Sequence, residues 1–523
     1  MKLQEATLPG TTGRTPFIHT LAGVLLVVAG YALVHALTRL FASGNLGDDD
    51  TFDNLLIQHL SAGYSEHTGP LYDLLLWLLQ QVLGSGIQAF LALKYSLLIV
   101  MAGGIFLITR RLTGSPLWGF IAVESMATVY QIFWRFHEGF THRVGAMALA
   151  IATVWALFGL LDEDRWRHRL LLAGLAGLGL LTEHTYAFFL LALLAAAALQ
   201  PAMRRRLFAW PMLAVLPLTA LIVSPYVGWL LAEPQRLPAL ISDFYPFRPA
   251  NSPAGLWSSL RDALTFPLLV LAPYILIAPL VFPKLLPTVF RRTPLRPDPA
   301  VPLDFRLLLT HLLLIEWLGV VIAGLLFSRS GYAVHSILPM FAIAIAWLTD
   351  RACATEPCAG RIRAFILVLL AFTITAYAVR CGNLFVQEPF CSRCRWGIPY
   401  QDLAGELRQK GFNSGILISN DERLSGNLRR FFPQAYLPLP GGEQAPGDLR
   451  PGEQLAVVWA VSGDDARMPP ELQQQLPTAF VGIRPTVIHL PWQHLWKPRG
   501  YRHASWATLV VTLPPGKGSD RPR

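Results

Sequence analysis

Four carboxylates follow directly after the first long apolar run of the chain. Asp48, Asp49 and Asp50 are consecutive, and Asp53 adds a fourth within the segment 47–83. Adjacent like charges each disfavour ionisation of the next, so a cation, a helix N-terminus or a reacting proton must make the cluster tolerable. Helix capping is the simpler interpretation, because Asp stabilises an N-cap and a first turn. Capping hardly accounts for three acids in a row, so we predict that at least one of them does acid–base chemistry.

A second polar group lies in the sequence RFHEGFTHR, residues 135–143. Its side chains could bind a phosphate or complete an acid–base or metal site. The alternative is an anchor loop at the membrane surface, with its two phenylalanines in the aromatic belt. The candidate side chains are Arg135, His137, Glu138, His142 and Arg143.

Glu183 and His184 occupy the turn TEHT between two short apolar runs. A charged side chain at membrane depth usually faces a cavity or a partner, so both are candidates for substrate binding. The alternative is a pair of Glu183 with His184 or with an arginine that only holds the turn.

The segment SRSGYAVHSILP, residues 328–339, places Arg329, Tyr332 and His335 at the start of another apolar run. A guanidinium group is suited to a lipid phosphate. The alternative is an arginine whose apolar stem lies in the membrane while its charge reaches the surface.

The composition indicates an integral membrane protein. Of the 523 residues, 53% are hydrophobic and 15% charged, and the mean hydropathy is +0.43. Soluble domains carry roughly 25% charged residues. The net charge of +10 comes from basic residues in short loops between apolar runs, as the positive-inside rule requires. This placement argues against nucleic-acid binding.

Hydropathy predicts about eleven membrane spans, with the N-terminus in the cytoplasm. The even-numbered spans all end at basic loops, which sets the orientation. The fifth and sixth spans are short and leave room for a cavity between helices. The predicted spans are 17–40, 87–109, 118–134, 144–161, 170–181, 186–199, 208–231, 263–282, 307–327, 332–348 and 364–379.

Two amphipathic segments in the first outside loop, 52–63 and 71–83, are too short to span and are predicted to lie in the membrane surface. After residue 380 the composition becomes rich in Gln, Gly, Pro and Arg. We therefore predict a transmembrane domain, 1–380, and a small extracytoplasmic α/β domain, 381–523. Its helices are predicted at 402–410, 422–431 and 470–476, and its strands at 415–419, 455–461 and 506–513.

The five cysteines divide between the two sides of the membrane. Cys353 and Cys358 fall in a cytoplasmic loop, where thiols stay reduced. Cys391 and Cys394 form a CxxC pair outside, where we predict a disulfide, with Cys381 as the alternative partner. No second CxxC and no His pair at zinc-finger spacing accompanies this CxxC.

The order of these features resembles the GT-C glycosyltransferases that use polyprenyl-phosphate sugars. It is most similar to the aminoarabinose transferase, core galacturonosyltransferase and protein O-mannosyltransferase branches. The residues that carry the resemblance are Asp49-Asp50 followed by Phe52, Gly63-Tyr64, the GPLYD of 69–73, Arg329 and Tyr332 before Leu338-Pro339, and the tail segment NDERLSGNLRRFFP. The chain departs from the family at Glu183-His184, where a basic residue is usual.

The resemblance implies transfer of one sugar from a polyprenyl phosphate to a lipopolysaccharide, glycolipid, polysaccharide or protein acceptor outside the bacterial inner membrane. By this resemblance, Asp49 or Asp50 would act as the general base. Asp48 and the other candidate residues named above would bind the substrates. Arginines would neutralise the leaving phosphate, so no cofactor is required. Whether a divalent metal takes part stays open. The alternative from another class is a transporter or flippase of a lipid-linked sugar. A transporter is expected to have an internal repeat and to concentrate its polar residues near the bilayer midplane. The sequence shows no repeat, and its richest group of acids lies in an outside loop.

Overall fold

The computed structural model describes residues 15–512, apart from 245–252, 294, 297, 299, 302, 327–337, 388–390, 392–393, 441–452, 464, 477–482 and 494–501. The chain forms two compact units. The first consists of Met1–Val34, Ala62–Tyr72 and Lys94–Tyr377, and the second of His35–Ser61, Asp73–Leu93 and Ala378–Arg523.

Most described residues are helical. The helices are α1 (Leu21–Ala42), α2 (Asp48–Leu56), α3 (Leu71–Leu83), α4 (Ile87–Thr113), α5 (Pro116–Ser125), α6 (Tyr130–Phe133), α7 (His142–Asp162), α8 (Trp166–Leu180), α9 (Tyr186–Ala198), α10 (Pro201–Leu207), α11 (Trp210–Leu213), α12 (Leu216–Ala232), α13 (Arg236–Phe244), α14 (Pro253–Val270), α15 (Ala272–Val281), α16 (Leu285–Arg292), α17 (Phe305–Leu326), α18 (Leu338–Cys353), α19 (Ala359–Cys381), α20 (Tyr400–Gln409), α21 (Glu422–Arg429) and α22 (Pro470–Gln475).

Each predicted span contains helix, but the predicted count of eleven is not confirmed. In the described part of the chain, six helical segments are long and apolar enough to cross a membrane. A seventh is obtained if α14 and α15, which meet at a 55° bend, form one span. The predicted span 118–134 is broken between α5 and α6. The two short spans correspond to α8 and α9, which have only 15 and 13 residues.

The first unit is built around α7, most of whose side chains are buried. It packs against α8, α9 and α18. Small residues allow close approach of membrane helices. A Cβ on Gly104 of α4 would lie 2.4 Å from the Ile151 side chain of α7, so this crossing needs a glycine.

The second unit contains a five-stranded mixed sheet with the strand order β2-β1-β3-β5-β4. Strand β1 pairs in parallel with β2 and β3, whereas β5 is antiparallel to β3 and β4. In register, Ile418 is opposite Val457, and Val457 is opposite Leu509. The strands are β1 (Gly415–Ser419), β2 (Ala435–Tyr436), β3 (Gln454–Ala460), β4 (Thr486–Pro491) and β5 (His503–Thr512).

Successive side chains of a strand point to opposite faces of the sheet, so alternate residues pack against helices on opposite sides of it. Leu417 and Val458 pack with α20 and α21, and Leu455 and Trp459 pack with α22. The prediction of a C-terminal α/β domain is thus confirmed, and we call α20–α22 with β1–β5 the C-terminal sheet domain. Strands β2 and β4 were not predicted. The first has two residues, and the second ends in Pro491 at the sheet edge, where proline is tolerated.

The second unit also contains α2 and most of α3. The prediction for α3 matches the observed bounds, but α2 begins at Asp48 and ends at Leu56, not at residue 63. Leu60, an apolar residue of the predicted segment 52–63, lies beyond the helix and is exposed. Leu55 packs in the same core as Leu424 and Leu428 of α21.

Cys391 and Cys394 form a disulfide, with Cα atoms 5.3 Å apart, as predicted. Cys381, Cys353 and Cys358 are free thiols, so the alternative pairing through Cys381 is not the one observed.

Candidate functional site

The acidic cluster forms the first turn of α2. Gly47 is the N-cap, and the Thr51 amide donates the first helical hydrogen bond to the Gly47 carbonyl, at 3.0 Å. None of the three acids is therefore the N-cap, although all lie where the free amides and the helix dipole favour negative charge. Asp49 is exposed, whereas Asp50 is only 5% exposed. One carboxylate is thus accessible to a substrate, and its neighbour is enclosed by the protein.

The side chain of Asn54, near the other end of α2, forms hydrogen bonds with all of its donors and acceptors. Its side-chain amide donates to the carbonyls of Gly426, at 2.8 Å, and Ser85, at 3.3 Å. Its side-chain oxygen accepts from Arg429 Nη1, at 2.9 Å, and Gln80 Nε2, at 2.8 Å. Asn offers two donors and two lone pairs, so this buried side chain uses its whole capacity. It ties α2 to α3, to the turn after α3 and to α21.

The loop before α2 is attached to the segment 396–398, which leads into α20. The Asn45 side chain donates to the carbonyls of Trp396, at 3.1 Å, and Ile398, at 2.9 Å. The Ser43 hydroxyl donates to the Trp396 carbonyl, at 2.7 Å. The Arg39 guanidinium lies 4.0 Å from the centre of the Trp396 ring. Both ends of the acidic helix are therefore held.

Asp53 and Asp73 form a second acidic group in the same unit. Both are buried, and a carboxylate oxygen of one lies within 4.8 Å of one of the other. Buried carboxylates are found where partners or cations compensate them, and oxygen ligands suit hard divalent cations. These two residues could hold such an ion, which keeps the metal question open.

In the first unit, Glu183 is buried and accepts a hydrogen bond from Arg143 Nε, at 3.3 Å. Burial raises the pKa of the Glu183 carboxyl, and the charges of Arg143 and His142 oppose that effect. The structure thus brings three predicted residues together. This pairing is the predicted alternative for Glu183 in its second form, a pair with an arginine, and the arginine comes from the segment 135–143.

We expect Arg143→Gln to destabilise the protein by about 1–3 kcal/mol, because a buried acceptor loses its cation. The folded state already holds the Glu183 proton more tightly than the unfolded chain, so its stability falls as pH rises through the raised pKa. Removing Arg143 raises that pKa further. The loss in a thermal melt should therefore be larger at about pH 8 than at about pH 5.

The double variant Arg143→Gln/Glu183→Gln is the control for this ion pair. It buries no charge and should recover most of the loss. An equal destabilisation of the single variant at both pH values would contradict the role assigned to Glu183.

His184 contacts a different partner. Its Nε2 lies 3.0 Å from the Tyr226 hydroxyl, and the two rings are stacked. The same hydroxyl donates to the carbonyls of Ser65 and Thr68, each at 3.3 Å. His184 therefore helps to hold the segment 62–72, which carries Gly63-Tyr64 and the first four residues of the GPLYD motif.

That segment also docks through its backbone. The Leu71 amide donates to the Leu181 carbonyl, at 2.8 Å, and a Cβ on Gly69 would lie 2.4 Å from the same oxygen. The motif glycine at 69 thus permits contact with the turn that carries Glu183.

His137 is enclosed between two tyrosines. Its Nε2 lies 2.9 Å from the Tyr31 hydroxyl and its Nδ1 lies 2.9 Å from the Tyr95 hydroxyl. These contacts link the one-turn helix Arg135–His137 to α1 and α4. Because both ring nitrogens of His137 contact tyrosine hydroxyls, this side chain orients the loop. Substrate binding by His137 remains a prediction.

The remaining predicted residues occupy different environments. The His142 ring lies 5.2 Å from the Tyr72 ring, Glu138 is half-buried and Arg135 is exposed. The side chain of Asp48 is not described. Arg329, Tyr332 and His335 lie outside the described residues.

Three residues near the acidic helix were not predicted as site residues from the sequence: Asn54, Asp73, which ends the GPLYD motif, and Arg429, which lies in the tail segment NDERLSGNLRRFFP. Asp73 carried a usable signal, because a carboxylate on the leucine-rich helix α3 is costly unless it has a role. For Asn54 and Arg429 no local pattern pointed to their contact, since they are common surface residue types and are separated by 375 positions.

The chain is similar to known glycosyltransferases. A family model described as dolichyl-phosphate-mannose-protein mannosyltransferase matches residues 67–229. The lipopolysaccharide core galacturonosyltransferase RgtA of Rhizobium johnstonii is 24% identical over 479 residues, which cover 88% of this chain and 92% of RgtA. RgtB of the same organism is 23% identical over 482 residues, covering 90% and 94%.

The fold is that of a solved enzyme. The crystal structure of ArnT from Cupriavidus metallidurans bound to undecaprenyl phosphate matches with a TM-score of 0.60. The match covers 93% of this chain and 98% of ArnT at 12% identity, so it concerns the fold. The similarity to the galacturonosyltransferases and the shared fold identify the chain as an integral-membrane glycosyltransferase of the GT-C type.

Proposed function

We propose that this enzyme transfers one sugar from a polyprenyl-phosphate carrier to a glycolipid acceptor on the outer face of the membrane. The observation that carries the proposal is the first turn of α2, where an exposed Asp49 stands beside a buried Asp50. The names of RgtA and RgtB favour a lipopolysaccharide-core type of acceptor over protein, and a uronic acid as the first sugar to test.

In the proposed reaction the acceptor hydroxyl attacks the anomeric carbon of the carrier-linked sugar. The bond between that carbon and the phosphate oxygen breaks, and the polyprenyl phosphate leaves with the bonding electrons. The hydroxyl proton passes to the carboxylate of Asp49, which acts as general base. Asp50 either orients the acceptor or, by charge repulsion, makes the carboxylate of Asp49 a stronger base.

The leaving phosphate needs nearby positive charge. Arg135, Arg143, Arg329 and His335 remain our candidates. Among these four candidates, Arg135 and Arg143 belong to the described residues. Arg135 is exposed, and Arg143 is partly exposed and pairs with Glu183. The isoprenoid tail of the carrier needs an apolar groove, and we propose that it lies beside the short helices α8 and α9. Neither helix reaches the roughly 20 residues of a full span, which leaves room for such a groove.

Transfer by the purified full chain in lipid tests the proposal. The donors are undecaprenyl phosphates carrying galacturonic acid or aminoarabinose, and the acceptor is a core-type lipid A glycolipid. We expect labelled sugar to appear on the acceptor only when both substrates are present. Movement of the donor across vesicles without any transfer would favour the transport alternative and contradict the enzyme proposal.

We further propose that the N-terminus is cytoplasmic and that residues 381–523 are extracytoplasmic. The basic loops support this orientation, and so does the Cys391–Cys394 disulfide, because disulfides persist in oxidising compartments. A reporter that is active only outside the cytoplasm should be active when fused after Arg523. Activity of a cytoplasm-only reporter at the same position would overturn the orientation.

A further inference from the structure

Helix α21 of the C-terminal sheet domain touches the acidic helix at backbone distance. A Cβ on Gly426 would lie 2.3 Å from the carbonyl oxygen of Thr51 and 2.8 Å from its Cα. Real Cβ contacts essentially never fall below 3.0 Å, so only glycine fits unless one helix moves. Thr51 follows Asp50 directly, so the contact lies one residue from the acidic turn.

Polar contacts fix the same two helices on either side of this point. Before α2, the Leu46 amide donates to Asn427 Oδ1, at 2.8 Å. Asn427 is held in turn, because its Nδ2 donates to the Arg423 carbonyl, at 2.9 Å. Within α2, the Asn54 side chain donates to the Gly426 carbonyl.

Arg429 binds the end of α2. Its guanidinium donates to the Asn54 carbonyl, to Asn54 Oδ1, at 2.9 Å, and to the Ile57 carbonyl, at 3.0 Å. The side chain is 8% exposed. A cation at a helix C-terminus is favourable, and the planar fork of Arg can reach several acceptors at once. These contacts also occupy carbonyls at the point where α2 stops.

The contacts before, within and after α2 leave it little freedom to slide or rotate. Catalytic side chains must be held within about 0.5 Å of their productive position by such supporting contacts. We infer that α21 is a positioning element of the transferase, in which Gly426, Asn427 and Arg429 set the place of Asp49 and Asp50. The inference rests on the function proposed above, and it makes the C-terminal sheet domain a working part of the active centre.

Gly426→Ala tests the inference in the full-length protein in lipid. The added methyl group must push α2 away from α21, and a displacement of about 1 Å can cost about 10²-fold in rate. We therefore expect kcat to fall by about that factor, with little change in KM for the lipid-linked donor. The matched control is Gly405→Ala in α20 of the same domain, where a Cβ would meet nothing within 4 Å. That variant should keep wild-type kcat.

A double-mutant cycle separates positioning from general destabilisation. If Gly426 acts through Asp49, the variant Asp49→Asn/Gly426→Ala should be about as slow as Asp49→Asn alone, because groups that act as a unit are not additive. Wild-type kcat in Gly426→Ala, a loss confined to KM, or additive losses in the cycle would each overturn the inference. Absence of transfer by the wild-type chain would instead overturn the proposed function.

Arg429→Lys serves the same test if Gly426→Ala does not fold. Lysine keeps the charge but lacks the fork that spans the Asn54 and Ile57 carbonyls. We expect the same selective fall in kcat and the same absence of additivity with Asp49→Asn. An unchanged kcat would overturn the inference.

Discussion

Asp49→Asn should lower sugar transfer by about 10²–10⁴-fold, the usual contribution of a general base. The substitution keeps the size of the side chain but removes its ability to take the acceptor proton. Folding should be preserved, since Asp49 is exposed and is not the N-cap of α2. Loss of its charge near the helix N-terminus costs only about 0.3–1 kcal/mol.

The neighbouring acids are graded controls. Asp48→Asn should have a smaller effect, because Asp48 lies outside the Asp-Asp pair that matches the family pattern. Asp50→Asn should also lower turnover, since Asp50 is buried beside the base. The measurement is transfer by purified variants in lipid, with a thermal melt of each. Full turnover in both Asp49→Asn and Asp50→Asn would reduce the cluster to a helix-stabilising turn.

Asn54→Leu should destabilise the second unit by about 3–5 kcal/mol. Leucine has a similar volume, but it leaves the carbonyls of Gly426 and Ser85 and the amide of Gln80 without the partners that Asn54 supplies. Each buried polar group left unsatisfied costs about 1–3 kcal/mol. Transfer activity should fall with stability, because the same side chain holds α2 to α21.

Gln80→Leu is the matched control for Asn54. It removes a single hydrogen bond to Asn54 Oδ1 and leaves the other three bonds of Asn54 in place. Its loss should therefore be about 1 kcal/mol, well below that of Asn54→Leu. Chemical or thermal unfolding of purified protein measures both. Equal losses of stability in the two variants would contradict the conclusion that Asn54 ties α2 to several neighbouring segments.

Local patterns in the sequence were sufficient for much of the fold. The apolar period that predicted 71–83 is the period of α3, and the strand predicted at 415–419 is β1 residue for residue. The CxxC spacing predicted the Cys391–Cys394 disulfide, because two residues between cysteines keep their Cα atoms within bonding range. The membrane class and the fold family also followed from composition and from the order of motifs.

The tertiary structure decided what depends on residues far apart in the chain. The end of α2 at Leu56 is one example, because Arg429 takes the Asn54 and Ile57 carbonyls. The approach of Gly426 to Thr51 is another, and so is the enclosure of His137 by Tyr31 and Tyr95. Periodicity reports only which face of an element is apolar. The partner that covers that face is set by packing and by hydrogen bonds between distant segments, which no local pattern encodes.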